Sequence, residues 1–387
     1  MAPDVATTTP DVDAPFSVMG ADGHLLVPDT TDFGEPLDVL TRRLYRDMAL
    51  ARRFDQEAFA LQRQGELALW LLCTGQEAAQ AGSIRAIRDT DFVFPSYREH
   101  TAAIARGVTV AEMLPLWRGT AQSSWSPSDY RFNIYTLVLG TQMLHAVGYA
   151  MGVRLDGSDE IVMVYVGDGA MSEGDSSEAL NWAATMQAPI LFMAQNNGWA
   201  ISTPNAKQFK APLHTRARGF GLDSYLVDGN DALAVHLTVR EAAARVRAGG
   251  APAFVEAITY RIGGHSTSDD PSRYRDDAEL QSWIARDPIA RLRRCMELEG
   301  LADDAFFDRV AAEAYPVLVG GVARGGGLRP VPDLVADQAV APTLDGVGGP
   351  GRHVRRERRL AREDRCPQEE ADERECQGEP PGLPDPQ

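Results

Sequence analysis

"EIVMVYVGDGAMSEGDSSEALNWAATMQAPILFMAQNN", residues 160–197, decides how the chain folds. EIVMVYV is apolar, rich in β-branched residues, and stops at Gly-Asp-Gly; SEALNWAATM carries a helical period; PILFMAQ is a second β-rich run. A strand, a helix and a strand in so short a span make one right-handed parallel crossover. The alternation continues with DALAVHLTVREAAARVRA as a helix and PAFVEAITYRI as a further strand. It predicts an α/β fold built on a doubly wound, mostly parallel sheet. Upstream, DFVFPSYREH reads as a short strand ending in a polar turn. GTQMLHAVGYAMGVRL reads as a helix whose Ala146, Gly148, Ala150 and Gly152 suit close packing in a core.

In an open sheet of this kind, ligands bind outside the carboxyl ends of the strands. Asp168 stands at such an end between Gly167 and Gly169, which permit a tight turn and leave room for a ligand. Asn196 and Asn197 end the next strand, and because one crossover joins the two strands, Asp168 and Asn197 share a crevice. A carboxylate and an amide carbonyl are hard oxygen ligands of the sort magnesium takes, and magnesium fills its octahedron with waters and substrate phosphates. For each motif alone the alternative is that Asp168 caps the following helix and the asparagines make a turn. The two together favour a magnesium–phosphate ligand.

The chain has 387 residues, 44% of them hydrophobic, enough to bury a large core in one big domain or two smaller ones. A net charge of -17 argues against nucleic acid or an anionic membrane as the main partner, since such surfaces repel an acidic protein. No stretch approaches the roughly 18 apolar residues that span a bilayer. Asp4, Asp11, Asp13 and Asp22, with no Arg or Lys among the first 30 residues, speak against a signal or transit peptide. Cys73, Cys295, Cys366 and Cys376 form no C-x-x-C spacing, so neither a disulfide framework nor a zinc site is indicated and a cytoplasmic setting is expected. Residues 1–36 read as an extended arm, 37–315 as the α/β domain, and 316–387 as a Gly/Pro/Arg-rich disordered tail with no apolar period. In the tail, Gly346, Gly348 and Gly351 spell G-x-G-x-x-G, but Pro350 lies inside it and no strand precedes it. The basic run RHVRRERRLAR is flanked by EDRCPQEEADERE and reads as a charged, solvated segment.

GDG followed after a helix by NN resembles the thiamine-diphosphate fingerprint, and residues 70–300 resemble the α subunit of a 2-oxo acid dehydrogenase, the decarboxylating component. The stretches that carry the likeness are GQEA (75–78), YREH (97–100), GTQMLHAVGYA (140–150), GDGAMSEGD (167–175), NNGWAISTP (196–204) and TYRIGGHSTSDDPSRYR (259–275). ISTP and STSDD lean toward the branched-chain type over the pyruvate type, a pyruvate or acetoin dehydrogenase α subunit being the alternative inside the class. The resemblance implies that Asp168 and Asn197 ligate Mg²⁺ by side chain and Trp199 by its carbonyl, and that Gly167, Gly169 and Ala170 line the cofactor. It implies contacts from Tyr97 and Arg98, the guanidinium forking onto the diphosphate. Leu139 and Ile201 would pack on the thiamine rings, and His265 would serve as the active-site histidine, acting near the substrate and aiding acyl transfer. It further implies a partner β subunit that supplies the activating glutamate in an α2β2 heterotetramer, a 2-oxo acid substrate, and a lipoyl acyltransferase core as acceptor. Ser266 matches a position phosphorylated in regulated members, although a polar loop serine is the plainer reading.

The chain departs from the resembled type at four places. Gln195 replaces an arginine before the paired asparagines, Gly264 replaces a second histidine, and TLVLGTQ lacks a Ser-Pro, which alters the monovalent-cation site that Thr141 and Gln142 would join. Residues 316–387 match no expected helices; a reading-frame shift in high-GC DNA produces such a tail, and translating the other two frames downstream of Ala314 tests that. The alternative of another class is a non-catalytic remnant.

Overall fold

A computed structural model of the chain describes residues 14–324, with side chains to residue 314. Five strands, β1 (Phe92–Phe94), β2 (Val162–Gly167), β3 (Ile190–Asn196), β6 (Asp223–Asp228) and β7 (Ala253–Ile258), form one sheet in the order β1-β2-β3-β7-β6. Every pairing in it is parallel. Between β3 and β6 lies a small antiparallel hairpin, β4 (Trp199–Ala200) and β5 (Thr203–Pro204).

Strands β2 and β3 lack polar alternation because both faces are covered, as a parallel sheet requires. Met163, Tyr165, Leu191, Met193, Val255 and Ala257 point into one core with helices Leu37–Arg63, Glu77–Ala86 and Ala232–Arg247. Val162, Val164, Val166, Ile190, Phe192 and Phe254 point into the other, beneath helices Thr141–Leu155 and Gly174–Thr185. The doubly wound α/β expectation holds. Of the small residues on helix Thr141–Leu155, Ala146 and Ala150 are buried as expected. A Cβ at Gly148 or Gly152 would instead meet nothing within 4 Å, so that face of the helix is open.

Residues 14–36 pack more tightly than their composition signals. Phe16 bridges Val227 at the free edge of β6, and Val18 and Met19 are fully buried. Their backbone N–H groups donate to Asp231 Oδ2 at 2.7 and 2.6 Å, while Asp231 Oδ1 caps helix Ala232–Arg247 through Leu233 and Ala234. Arg291 pairs with the neighbouring Asp228 at 2.7 Å and donates to the Met19 and Gly20 carbonyls. Burial pushes the Asp231 carboxyl up, and Arg291 with the four N–H donors holds it back. Asp231→Ala is expected to cost about 3–5 kcal/mol in urea unfolding, because it leaves buried donors and part of the Arg291 charge uncompensated.

The last helix, Asp304–Arg324, continues past the boundary at 315 drawn from composition. From residue 325 the expected tail, with its glycine motif and basic run, lies outside the described residues. Among the described residues no helix is long and apolar enough to cross a membrane.

Candidate cofactor site

The site is assembled from the carboxyl ends of four adjacent strands. β1 leads to Tyr97 and Arg98, β2 to Asp168, β3 to Asn197, Trp199 and Ile201, and β7 to Arg261 and His265. Gly167 pairs with Gln195 in the β2–β3 register, so Asp168 and Asn197 leave the sheet side by side. The backbone N–H groups of Asn197 and Gly169 lie near enough to the Asp168 carboxylate to favour its charged form. Neither following helix uses Asp168 as its cap: Gly169 and Glu173 hold those positions. Gly169 must stay a glycine, since a Cβ there would sit 2.8 Å from Ala200 Cβ on the hairpin.

Asp168 is 1% exposed, and its Oδ2 has no hydrogen-bond partner. Burial pushes its carboxyl up to about 6, against the lowering effect of those backbone donors. A buried carboxylate with one oxygen unanswered fits a cation. Asn197 is oriented by Gln76, whose Oε1 accepts from Asn197 Nδ2 at 3.3 Å, while Asn197 Oδ1 accepts the Trp199 N–H at 3.2 Å. The Trp199 carbonyl accepts a long hydrogen bond from Arg261 Nη1, 3.5 Å. Among the described residues no group of three or more His, Cys, Asp or Glu could hold a metal. One carboxylate, an amide oxygen and a carbonyl suit only a hard ion that completes its shell with water and phosphate.

Positive charge fills the other side. Arg98 is buried; it donates to the Leu72 carbonyl and, through Nη2, to the His265 carbonyl at 3.0 Å and Nδ1 at 3.4 Å. Arg261, 1% exposed, donates to the Ile201 carbonyl at 3.0 Å, Tyr274 Oη at 3.2 Å and His265 Nδ1 at 3.3 Å. Arg275 is spent on the carbonyls of Arg261, Ile262 and Gly263. Elsewhere the buried or half-buried Arg52, Arg85, Arg247 and Arg291 each meet a carboxylate. Among the described residues Arg98, Arg261 and Arg275 form no ion pair, so this corner carries positive charge that an anion would answer. Burial, and next the charge of Arg98, pull the Arg261 guanidinium down to about 10. Burial, then Arg98 and Arg261, push the His265 imidazole down to about 3, so it is neutral at pH 7. With Nδ1 accepting from the arginines, its hydrogen sits on Nε2.

Tyr97 lies beside this group, its ring centroid 6.4 Å from that of His265 and 5.6 Å from the Arg98 guanidinium carbon. Leu139 follows Leu137 and Val138, three consecutive apolar residues that are 51%, 69% and 44% exposed in sequence order, just before helix Thr141–Leu155. Gly140, next in sequence, lies against Ser176 and Glu173 in the segment that follows Asp168. Ala170 is buried directly after Gly169. Ile201, at the hairpin tip, has φ +54° and is 54% exposed. A β-branched residue in the left-handed region is strained, by about 1–2 kcal/mol, and here the strain holds an apolar side chain out of the protein. Ile201→Gly is expected to raise the stability of the cofactor-free chain by about 1 kcal/mol in thermal unfolding while weakening cofactor binding.

Gln195 does not reach toward the arginines: its Nε2 donates to Glu99 at 2.6 Å and its Oε1 accepts from Gln80 at 3.0 Å. Arg261 brings the second guanidinium to this corner. Sequence reasoning missed Arg261, Arg275 and Gln76, although a lone charge in the apolar run TYRI was a usable signal for the first. Gly264 is set by its loop, since a Cβ would lie 3.1 Å from the Ser266 carbonyl and 3.3 Å from that of Asp269. Ser266 Oγ accepts the Ser268 N–H at 3.3 Å, an ordinary local turn. Gln142 Nε2 donates to the Tyr165 carbonyl, and its buried Oε1 has no partner.

A doubly wound parallel sheet, with a carboxylate short of a cation and guanidiniums short of an anion at its carboxyl edge, defines an α/β protein that binds an anionic cofactor. The sequence profile described as dehydrogenase E1 component matches residues 45–315. The 3-methyl-2-oxobutanoate dehydrogenase subunit alpha of Mycobacterium tuberculosis is 42% identical over 304 residues, covering 78% of this chain and 83% of that protein. The mitochondrial 2-oxoisovalerate dehydrogenase subunit alpha 2 of Arabidopsis thaliana is 36% identical over 300 residues, 75% of this chain and 63% of that protein. The pyruvate dehydrogenase E1 component subunit alpha of Staphylococcus epidermidis is 37% identical over 290 residues, 73% and 77% of the two chains. The chain belongs to the dehydrogenase E1 component family, the thiamine-diphosphate-dependent 2-oxo acid dehydrogenases, on its α-subunit side.

Proposed function

We propose that this chain is the cofactor-diphosphate-binding α subunit of a branched-chain 2-oxo acid dehydrogenase. The observation that carries the proposal is the pairing of Asp168, whose buried Oδ2 is unanswered, with Asn197 at the end of the adjacent strand. In this reading Asp168, Asn197 and the Trp199 carbonyl hold Mg²⁺, and Arg98, Tyr97 and the His265 Nε2–H hold the diphosphate, next to Gly167, Gly169 and Ala170. Leu139 and Ile201 offer apolar support to the rings. When bound, thiamine diphosphate supplies the electron sink for loss of CO₂ from the 2-oxo acid. His265, kept neutral by its burial and by the arginines that hold its Nδ1, donates a hydrogen bond from Nε2 and so answers negative charge that develops beside it.

The exposed Leu137–Leu139 ridge and the open Gly148/Gly152 face support a partner chain, which we take to be a β subunit completing an α2β2 heterotetramer in the cytoplasm. A lipoyl group on an acyltransferase core is the proposed acyl acceptor. The 42% identity to the mycobacterial 3-methyl-2-oxobutanoate dehydrogenase subunit, against 37% to the staphylococcal pyruvate dehydrogenase subunit, supports the branched-chain substrate. The test is decarboxylation of 3-methyl-2-oxobutanoate and of pyruvate by the chain co-purified with its β subunit. A higher kcat/KM for pyruvate would overturn the substrate, and turnover of neither in the presence of Mg²⁺ and thiamine diphosphate would overturn the enzyme.

A further inference from the structure

The end of β3 carries three consecutive amide side chains, Gln195, Asn196 and Asn197, each donating its side-chain N–H to a buried acceptor. Gln195 Nε2 donates to Glu99 at 2.6 Å, Asn196 Nδ2 to Glu256 at 2.7 Å, and Asn197 Nδ2 to Gln76 at 3.3 Å. The first two acceptors are carboxylates, which can only accept, and Glu256 is fixed further by the His214 N–H and Nδ1 at 2.8 and 2.6 Å. The third acceptor is different. Gln76 is an amide, 1% exposed, and its Nε2 is buried with no partner. A buried amide donor left without a partner loses its hydrogen bond to water and gains nothing in return.

This orphaned donor belongs to a side chain that already touches the site. Gln76 Oε1 accepts from Asn197, and Asn197 leaves the sheet beside Asp168, whose Oδ2 is the orphaned acceptor. An unanswered donor and an unanswered acceptor therefore flank one residue, as a ligand carrying both a cation and anionic oxygens requires. The backbone around Gln76 is held to the site. Gly75 has φ +97° and sits so close to the Tyr260 carbonyl that a Cβ there would overlap it. Thr259 Oγ1 donates to the Gly75 carbonyl at 3.0 Å, and Ile262 N–H to the Thr74 carbonyl at 3.1 Å. These bonds fix the loop before helix Glu77–Ala86 against the segment that bears Arg261. A structural amide in a core satisfies both of its ends; this one satisfies only the end that faces Asn197.

We propose that Gln76 is a direct ligand-contacting residue: its Oε1 turns the Asn197 amide so that the oxygen faces the metal, and its Nε2 donates to an oxygen of the metal-bound diphosphate. This rests on the proposed magnesium–diphosphate site and adds a residue to it. It also gives the GQEA stretch a role beyond starting a helix.

The test is Gln76→Glu in the assembled complex with the β subunit. Glu keeps the shape and the acceptor for Asn197 but replaces the donor by a second carboxylate near Asp168. The affinity for thiamine diphosphate in saturating Mg²⁺, read by calorimetry, is expected to fall about tenfold to a hundredfold. Binding of Mn²⁺ alone, read from its paramagnetic signal, is expected to stay the same or tighten. A merely structural role would weaken both. Should the Glu variant not assemble, Gln76→Met, of similar volume and uncharged, carries the same tenfold or greater loss of cofactor affinity. Unchanged cofactor affinity in a folded variant, or parallel loss of metal and cofactor binding in Gln76→Glu, overturns the role of Gln76 while leaving the site standing. Failure of the unsubstituted complex to bind thiamine diphosphate with Mg²⁺ overturns the site itself.

Discussion

Asp168→Asn raises the thermal stability of the cofactor-free chain and at the same time weakens its binding of magnesium and thiamine diphosphate by about a hundredfold or more. Burial holds the Asp168 carboxyl near 6 against an ordinary value of 3.8. Because the folded value lies above the unfolded one, this group favours the fold below pH 3.8 and that contribution is lost as pH rises through about 6. At pH 7 the ionised carboxylate costs the fold on the order of 3 kcal/mol. Asparagine has nearly the same shape and no charge, so the cofactor-free variant should melt several degrees higher. With Mg²⁺ and cofactor the order reverses: the natural chain gains stability in proportion to ligand bound, and the variant gains much less. Losing the only carboxylate among the proposed ligands should weaken cofactor binding by about a hundredfold or more. In the natural chain, protons compete for the same oxygen, so cofactor affinity should fall by up to about tenfold per pH unit below pH 6. Equal cofactor-induced shifts in melting temperature for the two proteins would remove Asp168 from the site.

Arg98→Gln produces the other large effect. Its guanidinium has no carboxylate partner, so its charge is available to the diphosphate, and its loss should reduce thiamine-diphosphate affinity about a hundredfold. The same substitution reports on His265. Burial and the two neighbouring guanidiniums hold that imidazole near 3, below its ordinary 6.5, so the fold loses stability as pH falls from 6.5 toward 3. Removing Arg98 relieves part of that penalty. The His265 imidazole resonances should titrate at higher pH in the variant, and the acid-side loss of stability should shrink. An unchanged titration would place Arg98 too far from His265 to matter.

The β2–helix–β3 crossover was legible because it is local: its apolar runs and glycines lie within one short span, and neighbouring strands joined by one helix must pair. That alone brought Asp168 beside Asn197. β6 was not singled out, since Asp223–Asp228 is short, bounded by acids and half-buried at the edge. Its place outside β7 depends on which strand wins the position next to β3, and no local pattern encodes that. The burial of Val18 and Met19 depends on Asp231, more than 200 positions away. Gly148 and Gly152 were read as core residues because small side chains signal close approach, but both face open space, and the sequence of one chain does not separate a buried small residue from an uncovered one. Arg261 and Gln76 were hidden for a related reason: an arginine without a carboxylate and an amide with one idle end become informative only when their neighbours are known. The left-handed backbone at Ile201 runs against what a β-branched residue favours, and such local conflict is expected where a side chain is held for function.

The most direct measurement is a calorimetric titration of thiamine diphosphate into the complex of this chain with its β subunit, first with Mg²⁺ present and then with the metal chelated. Saturable binding of one cofactor per copy of this chain, weakened at least about a hundredfold by chelation, is the expected result, since in the proposed site Asp168 and Asn197 would hold the diphosphate through the ion. Binding of the same strength after chelation would contradict the account.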